Sequence, residues 1–216
     1  MRAALVSSAF IMIFVNLVSL ALLVALTRRE GIGLADLIAF DRTRLWRDVR
    51  WGLVLVVLLN VPFVIAVVVT ALVINPPATA AGVDAAMETV FVGGWDGTLT
   101  VGPPVWMAVL TAVLFPLLNP VIEELHYRGY VQPRLEALSG SAAVGVTIMA
   151  IGFALQHATY ALTVASGAVF VVAFLVWGVG AGIVYHRQRR LTSLIVVHVV
   201  VNVSFAVIPL FAALAP

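Results

Sequence analysis

The sequence predicts an all-α, polytopic transmembrane helical bundle of about six spans, on three observations. Hydrophobic residues make up 63% and charged residues 10% of the 216-residue chain, whereas a soluble domain is about 25% charged. Apolar runs of the ~20 residues that cross a hydrocarbon core recur along it. The arginines gather beside these runs, the usual orientation signal of a membrane protein.

The first apolar run, 3–27, follows a single Arg and ends at Arg28-Arg29. It shows no small-x-small cleavage site, so it reads as a retained span rather than a signal peptide. Segment 28–50 holds six of the twelve arginines. Its apolar residues Leu34, Leu37, Phe40 and Trp46 also admit an interfacial helix, so the span count is open, with six to eight possible. Further spans fall at 52–74, 105–122 (with a polar continuation), 141–162, 167–185 and 191–213. Between them, 75–104 has no Arg and only Asp84, Glu88 and Asp96 as charges. Pro76-Pro77, Gly93-Gly94 and Pro103-Pro104 punctuate it as an outer loop.

All basic residues are Arg, with no Lys. If 28–50 is cytoplasmic, alternation places 75–104 outside, 128–140 inside, 163–166 outside and 186–190 inside. Eleven of the twelve Arg then face the cytoplasm across an inner (plasma) membrane. This placement accounts for the basic balance, so the partner is a lipid bilayer and not a nucleic acid. The lack of Cys excludes disulfides, thiolate metal sites and a Cys nucleophile. Trp51, Trp95 and Trp106 sit near span ends as an aromatic belt would. Trp177, in mid-span, reads as ordinary helix packing, with a cavity wall as the alternative. The chain divides into 1–104, two spans with their loops, and 105–216, a helical core.

Ionisable groups inside spans are costly and usually face a cavity or a partner. Three polar clusters stand out. The first runs from Asn119 to Gly129 and contains Glu123, Glu124, His126 and Arg128; the others are Phe153-Ala154-Leu155-Gln156-His157 and His198-Val199-Val200-Val201-Asn202. Glu124 and Arg128 share a helix face, as do His198 and Asn202, whereas Glu123 lies about 100° round from Glu124. Each arrangement alone also suits a structural lock or a hydrogen-bonded core histidine. Depth favours chemistry. If the Glu123 helix runs on to Leu138 and turns at Ser139-Gly140-Ser141, Glu123 and His157 each stand seventeen residues from Gly140. A helical hairpin then brings them level, roughly 25 Å from the turn. Pro116 and Pro120 are expected to kink the helix just before the acidic pair.

A buried carboxylate beside a His can hold and deprotonate water. A second His with an Asn supplies donors for a developing oxyanion. Together these are the parts of a peptide hydrolase with water as nucleophile. Other motifs are missing: there is no His-Glu-x-x-His, no second Glu-x-x-His to partner Glu123-x-x-His126, no Gly-x-Ser-x-Gly, and no Asp within a span. His126 reads as lining a polar face and His186 as a solvated loop residue.

Glu123-Glu124-Leu-His-Tyr-Arg128, Phe153-Ala-Leu-Gln-His157 and His198-Val-Val-Val-Asn202, in that order, resemble the CPBP family (CAAX proteases and bacteriocin-processing enzymes, also called Abi) over roughly 105–210. The resemblance implies an intramembrane endopeptidase acting on a peptide or protein at the membrane. Glu123 would activate water with His157, Glu124 and Arg128 would support it, His198 and Asn202 would stabilise the oxyanion, and Phe153 would shape the cavity. The family is often labelled metalloprotease, and Glu123, His157 and His198 would be three zinc ligands with an open fourth position. The same residues also serve a metal-free glutamate mechanism. The family's eukaryotic branch cleaves prenylated Cys-a-a-X proteins. Arg-only usage and small size suggest a bacterial chain, whose relatives are linked to bacteriocin processing or self-immunity, so the peptide class stays open. The alternatives are a non-catalytic scaffold or immunity protein and a proton-coupled transporter using the same polar groups as a relay.

Overall fold

The computed structural model describes residues 2–93 and 104–214; Gly94, Trp95, Asp96 and Pro103 lie outside them. Every regular element described is helical. In order these are α1 (Arg2–Arg29), α2 (Leu34–Ile38), α3 (Leu45–Ile74), α4 (Val83–Val92), α5 (Val105–Glu124), α6 (Gln132–Ser139), α7 (Ala142–His157), α8 (Val164–Gln188) and α9 (Thr192–Leu214). A π-helical stretch, Leu125–Val131, joins α5 to α6.

The chain is a multi-pass membrane protein. Five helical segments are long and apolar enough to cross a bilayer, and α9 is apolar over Thr192–Val207. Large apolar side chains such as Phe14, Val18, Val57, Val64 and Leu117 stand exposed on the outside of the bundle. Helices that are apolar all round belong in lipid. These six helices correspond to the six expected runs with shifted boundaries: α7 ends at His157 rather than 162, and α8 begins at Val164 rather than 167. α3 begins at Leu45 rather than 52, so Trp46, Arg47, Arg50 and Trp51 ride on its first two turns instead of lying before it. The interfacial element expected in 28–50 is α2, whose Leu34, Leu37 and Ile38 pack on the main core, while Phe40 and Trp46 are exposed.

The expected outer loop contains a helix. α4 buries Ala86 and Val90, and Val90 packs with Ala71 and Val169 of α3 and α8. Asp84 and Glu88 lie on this helix rather than in irregular loop; its apolar pattern, Val83-x-x-Ala86-Met87-x-x-Val90-Phe91, is a helical one.

The hairpin that positions the acidic pair is formed as expected. The helix passes through Pro116 and Pro120, widens into the π stretch directly after Glu124, and continues to Ser139. Gly140 turns the chain at φ 67°, a left-handed conformation that glycine adopts without strain. The Ser141 hydroxyl caps the first turn of α7. α7 then packs between α6 and α8. Its approach to α8 needs Gly178, where a Cβ would come within 3.1 Å of the Ala150 Cα.

Polar ties gather the arginine-bearing segments at one end of the bundle. Arg134 pairs with Glu30, Arg190 with Asp48, and Arg189 with Glu136 at 2.5 Å. Segments 28–50, 130–140 and 186–190 therefore share a side. Two expectations need correction. Arg128 is not a surface charge marking that side: it is buried, 1% exposed, paired with Glu124 one turn earlier. His186 is not a loop residue; it lies in the last turn of α8 with Nδ1 3.1 Å from the Glu136 carboxylate.

Candidate active site

The spacing of one helical turn between Glu124 and Arg128 produces a buried ion pair, Nη1 to Oε1 at 3.1 Å. The guanidinium is further held over the rings of Phe153 and Trp177, 4.4 and 5.2 Å from their centroids. Phe153 and Trp177 themselves stack at 5.3 Å. Trp177 thus packs between helices and also lines the adjoining cavity, so the alternative reading of it is the better one. Breaking a buried pair by removing one partner typically costs about 3–5 kcal/mol, since the other charge is stranded.

α9 brings His198 between the two carboxylates. Its Nδ1 lies 3.0 Å from Glu124 Oε1 and its Nε2 3.6 Å from Glu123 Oε2. The expected unit of His198 with Asn202 is therefore replaced by a Glu123–His198–Glu124–Arg128 cluster. Asn202, one turn on, is buried with its amide Nδ2 unpartnered, and both His198 and Asn202 line the cavity. Glu123 Oε2 and Glu124 Oε2 are also buried without a hydrogen-bond partner.

The hairpin places α7 at the right level but with a different residue in contact. Gln156, not His157, meets Glu123: its Nε2 donates to Glu123 Oε1 and its Oε1 accepts from the Tyr127 hydroxyl at 2.5 Å. One residue on is about 100° round the helix, and His157 accordingly turns away. Its Nδ1 lies 2.7 Å from its own helix's Phe153 carbonyl and its ring stacks on Phe174 at 3.6 Å. A carbonyl only accepts, so Nδ1 carries the hydrogen and Nε2 is left as the basic nitrogen. His157 also lines the cavity.

The cavity measures about 280 Å³. Phe115, Phe153, Phe170, Phe174 and Trp177 supply apolar wall, and Asn119, His157, His198 and Asn202 supply polar groups. α1 and α3 also reach this region. Asn16 donates to Asn119 at 2.6 Å, both buried, and Asn60 and Phe63 of α3 join the lining. Asn16, Asn60, Tyr127 and Gln156 were not singled out from the sequence. The signal for Asn16 and Asn60 was there, as solitary amides inside apolar runs. His126, stacked on Tyr127 at 5.1 Å, is half-buried outside the cavity lining.

A zinc ion would need three of these groups around one point. Among the described residues no three His, Asp or Glu gather in that way. His198 turns both ring nitrogens toward carboxylates, so Glu123, His157 and His198 do not fit a shared metal in this arrangement.

Residues 104–204 match the family model described as type II CAAX prenyl endopeptidase Rce1-like. Neither the curated proteins nor the solved structures include a match.

Proposed function

Residues 104–204 form an Rce1-like domain of the CPBP/CAAX protease family, a family of intramembrane proteases, and from that premise we propose that the chain is an endopeptidase in which Glu123 activates water within the bilayer. The observation that carries this reading is Glu123 Oε2, a buried carboxylate oxygen without a hydrogen-bond partner, 3.6 Å from Nε2 of the cavity-lining His198.

In the proposed reaction Glu123 takes a proton from water and the hydroxide attacks the scissile carbonyl carbon. Asn202 Nδ2–H donates to the oxygen as it becomes negative. Glu123 then returns the proton to the departing amide nitrogen, the C–N bond breaks, and a carboxylate and an amine leave. Gln156 fixes the Glu123 carboxylate through Oε1, leaving Oε2 for water. His157 offers Nε2 as a second acceptor. Glu124, held by Arg128, anchors His198 through Nδ1. The phenylalanine-rich wall suits an apolar stretch of a membrane-tethered peptide. We assign the arginine-rich end to the cytoplasm of a plasma membrane, on the positive-inside bias.

Purified full-length chain in proteoliposomes, offered a library of membrane-tethered apolar peptides, is expected to cleave at least one, and to keep its rate after prolonged chelation. Loss of activity on chelation, restored by zinc, would replace the carboxylate mechanism with a metal one. Absence of cleavage of any peptide, including prenylated Cys-a-a-X probes, would count against the protease reading.

A further inference from the structure

Away from the cavity, three chain segments build a recess at the arginine-rich end. Arg44 just before α3 and the first turns of α3 with Arg47, Asp48 and Trp51 form one wall, the last turn of α8 contributes Arg187, and the α8–α9 connection contributes Arg190, around a space of about 470 Å³. Four guanidinium groups face a single carboxylate there. Asp48 is committed to Arg190 and Arg44 is 3.3 Å from Asp41, whereas among the described residues no carboxylate pairs with Arg47 or Arg187. Arg190 keeps a buried, unpartnered Nε. Gln188 accepts from the Ser193 hydroxyl through Oε1 at 2.7 Å, which leaves its amide N–H groups as further donors into the recess.

We propose that this recess binds the phosphate of an anionic phospholipid headgroup. Planar guanidinium forks match phosphate oxygens in a way that few other side chains do. A lipid is favoured over a free anion by what surrounds the recess. Trp46 and Trp51 are exposed beside it, as side chains at headgroup level are. Further along the same helix Leu53, Val54, Val57 and Val61 present an exposed apolar track along which acyl chains can lie. Helix-borne arginines close to a leaflet of anionic lipid are drawn to its negative surface.

The test uses the full-length chain in neutral detergent, titrated with phosphatidylglycerol or phosphatidylcholine and read by native mass spectrometry and thermal unfolding. Phosphatidylglycerol is expected to bind at least about tenfold more tightly than phosphatidylcholine. Arg47→Gln/Arg187→Gln should abolish that preference, and Arg28→Gln/Arg29→Gln, which removes equal charge outside the recess, should retain it. Should the first double variant fail to fold, Arg187→Gln alone, at an exposed helix end, gives the same comparison. Equal binding of the two lipids, an unchanged preference in the recess variant, or an equal loss in the control would overturn the proposal. Competition by millimolar inorganic phosphate would overturn the lipid assignment in favour of a free-anion site.

Discussion

At the scale of single residues, the site is a contest among buried polar groups for too few partners. Arg128 and His198 both spend themselves on Glu124, and Gln156 is spent on Glu123 Oε1. Among the groups left over are Glu123 Oε2 and Asn202 Nδ2, an acceptor and a donor of the kinds that water activation and oxyanion binding require. Removing an oxyanion donor elsewhere costs about 10²–10³ in kcat. Asn202→Ala should therefore lower kcat by about that factor with KM little changed, as measured on any cleaved peptide. A fall confined to KM would assign Asn202 to substrate binding instead. The three polar clusters were legible because charges and amides inside apolar runs announce themselves. Their pairing was less so. Spacing along one helix foretold Glu124–Arg128, but which atom of His198 meets which carboxylate depends on how α9 is rotated against α5, and no local pattern encodes that rotation.

At the scale of elements, the hairpin sets the level at which α7 meets α5 but not the azimuth of its side chains. Counting residues from Gly140 set the height of α7 against α5, because rise per residue is fixed. The side chain presented at that height depends on rotation, and the close approach of α7 to α8 at Gly178 helps fix it, so Gln156 rather than His157 meets Glu123. α1 also acts as more than an anchor. Its Asn16 binds Asn119, one turn before Glu123. Interhelical hydrogen bonds in membranes contribute only ~0.6 kcal/mol on average, so Asn16→Leu should fold and insert with a small drop in thermal stability. Its activity should fall several-fold, because Asn119 is no longer oriented at the cavity. Unchanged activity would leave the contact a packing detail.

At the scale of the whole molecule, composition fixed the class of fold and could not show that the arginine-rich segments are tied to one another. Glu30, at the end of α1, is held by the Tyr130 hydroxyl and by Arg134, which keep its carboxyl below the usual carboxylate range. A lowered folded value means that the stabilisation is present above the ordinary carboxylate range and is lost as pH falls through the folded value. Thermal stability in detergent should accordingly decline on acidification, and Glu30→Gln should flatten that acid limb while lowering stability at neutral pH. An identical pH profile in the variant would show that the tie contributes nothing measurable, as exposed pairs often do.

In the proposed function Glu123 performs the chemistry of an intramembrane protease. The most direct measurement compares wild-type chain and Glu123→Gln, reconstituted in equal amounts, on one membrane-tethered peptide that the wild type cleaves. Glutamine keeps the size of the side chain and an oxygen for the Gln156 amide but cannot take a proton from water. Glu123→Gln is expected to insert correctly, keep its thermal stability within about 1 kcal/mol, and give no detectable product. Cleavage by Glu123→Gln at the wild-type rate would contradict that role.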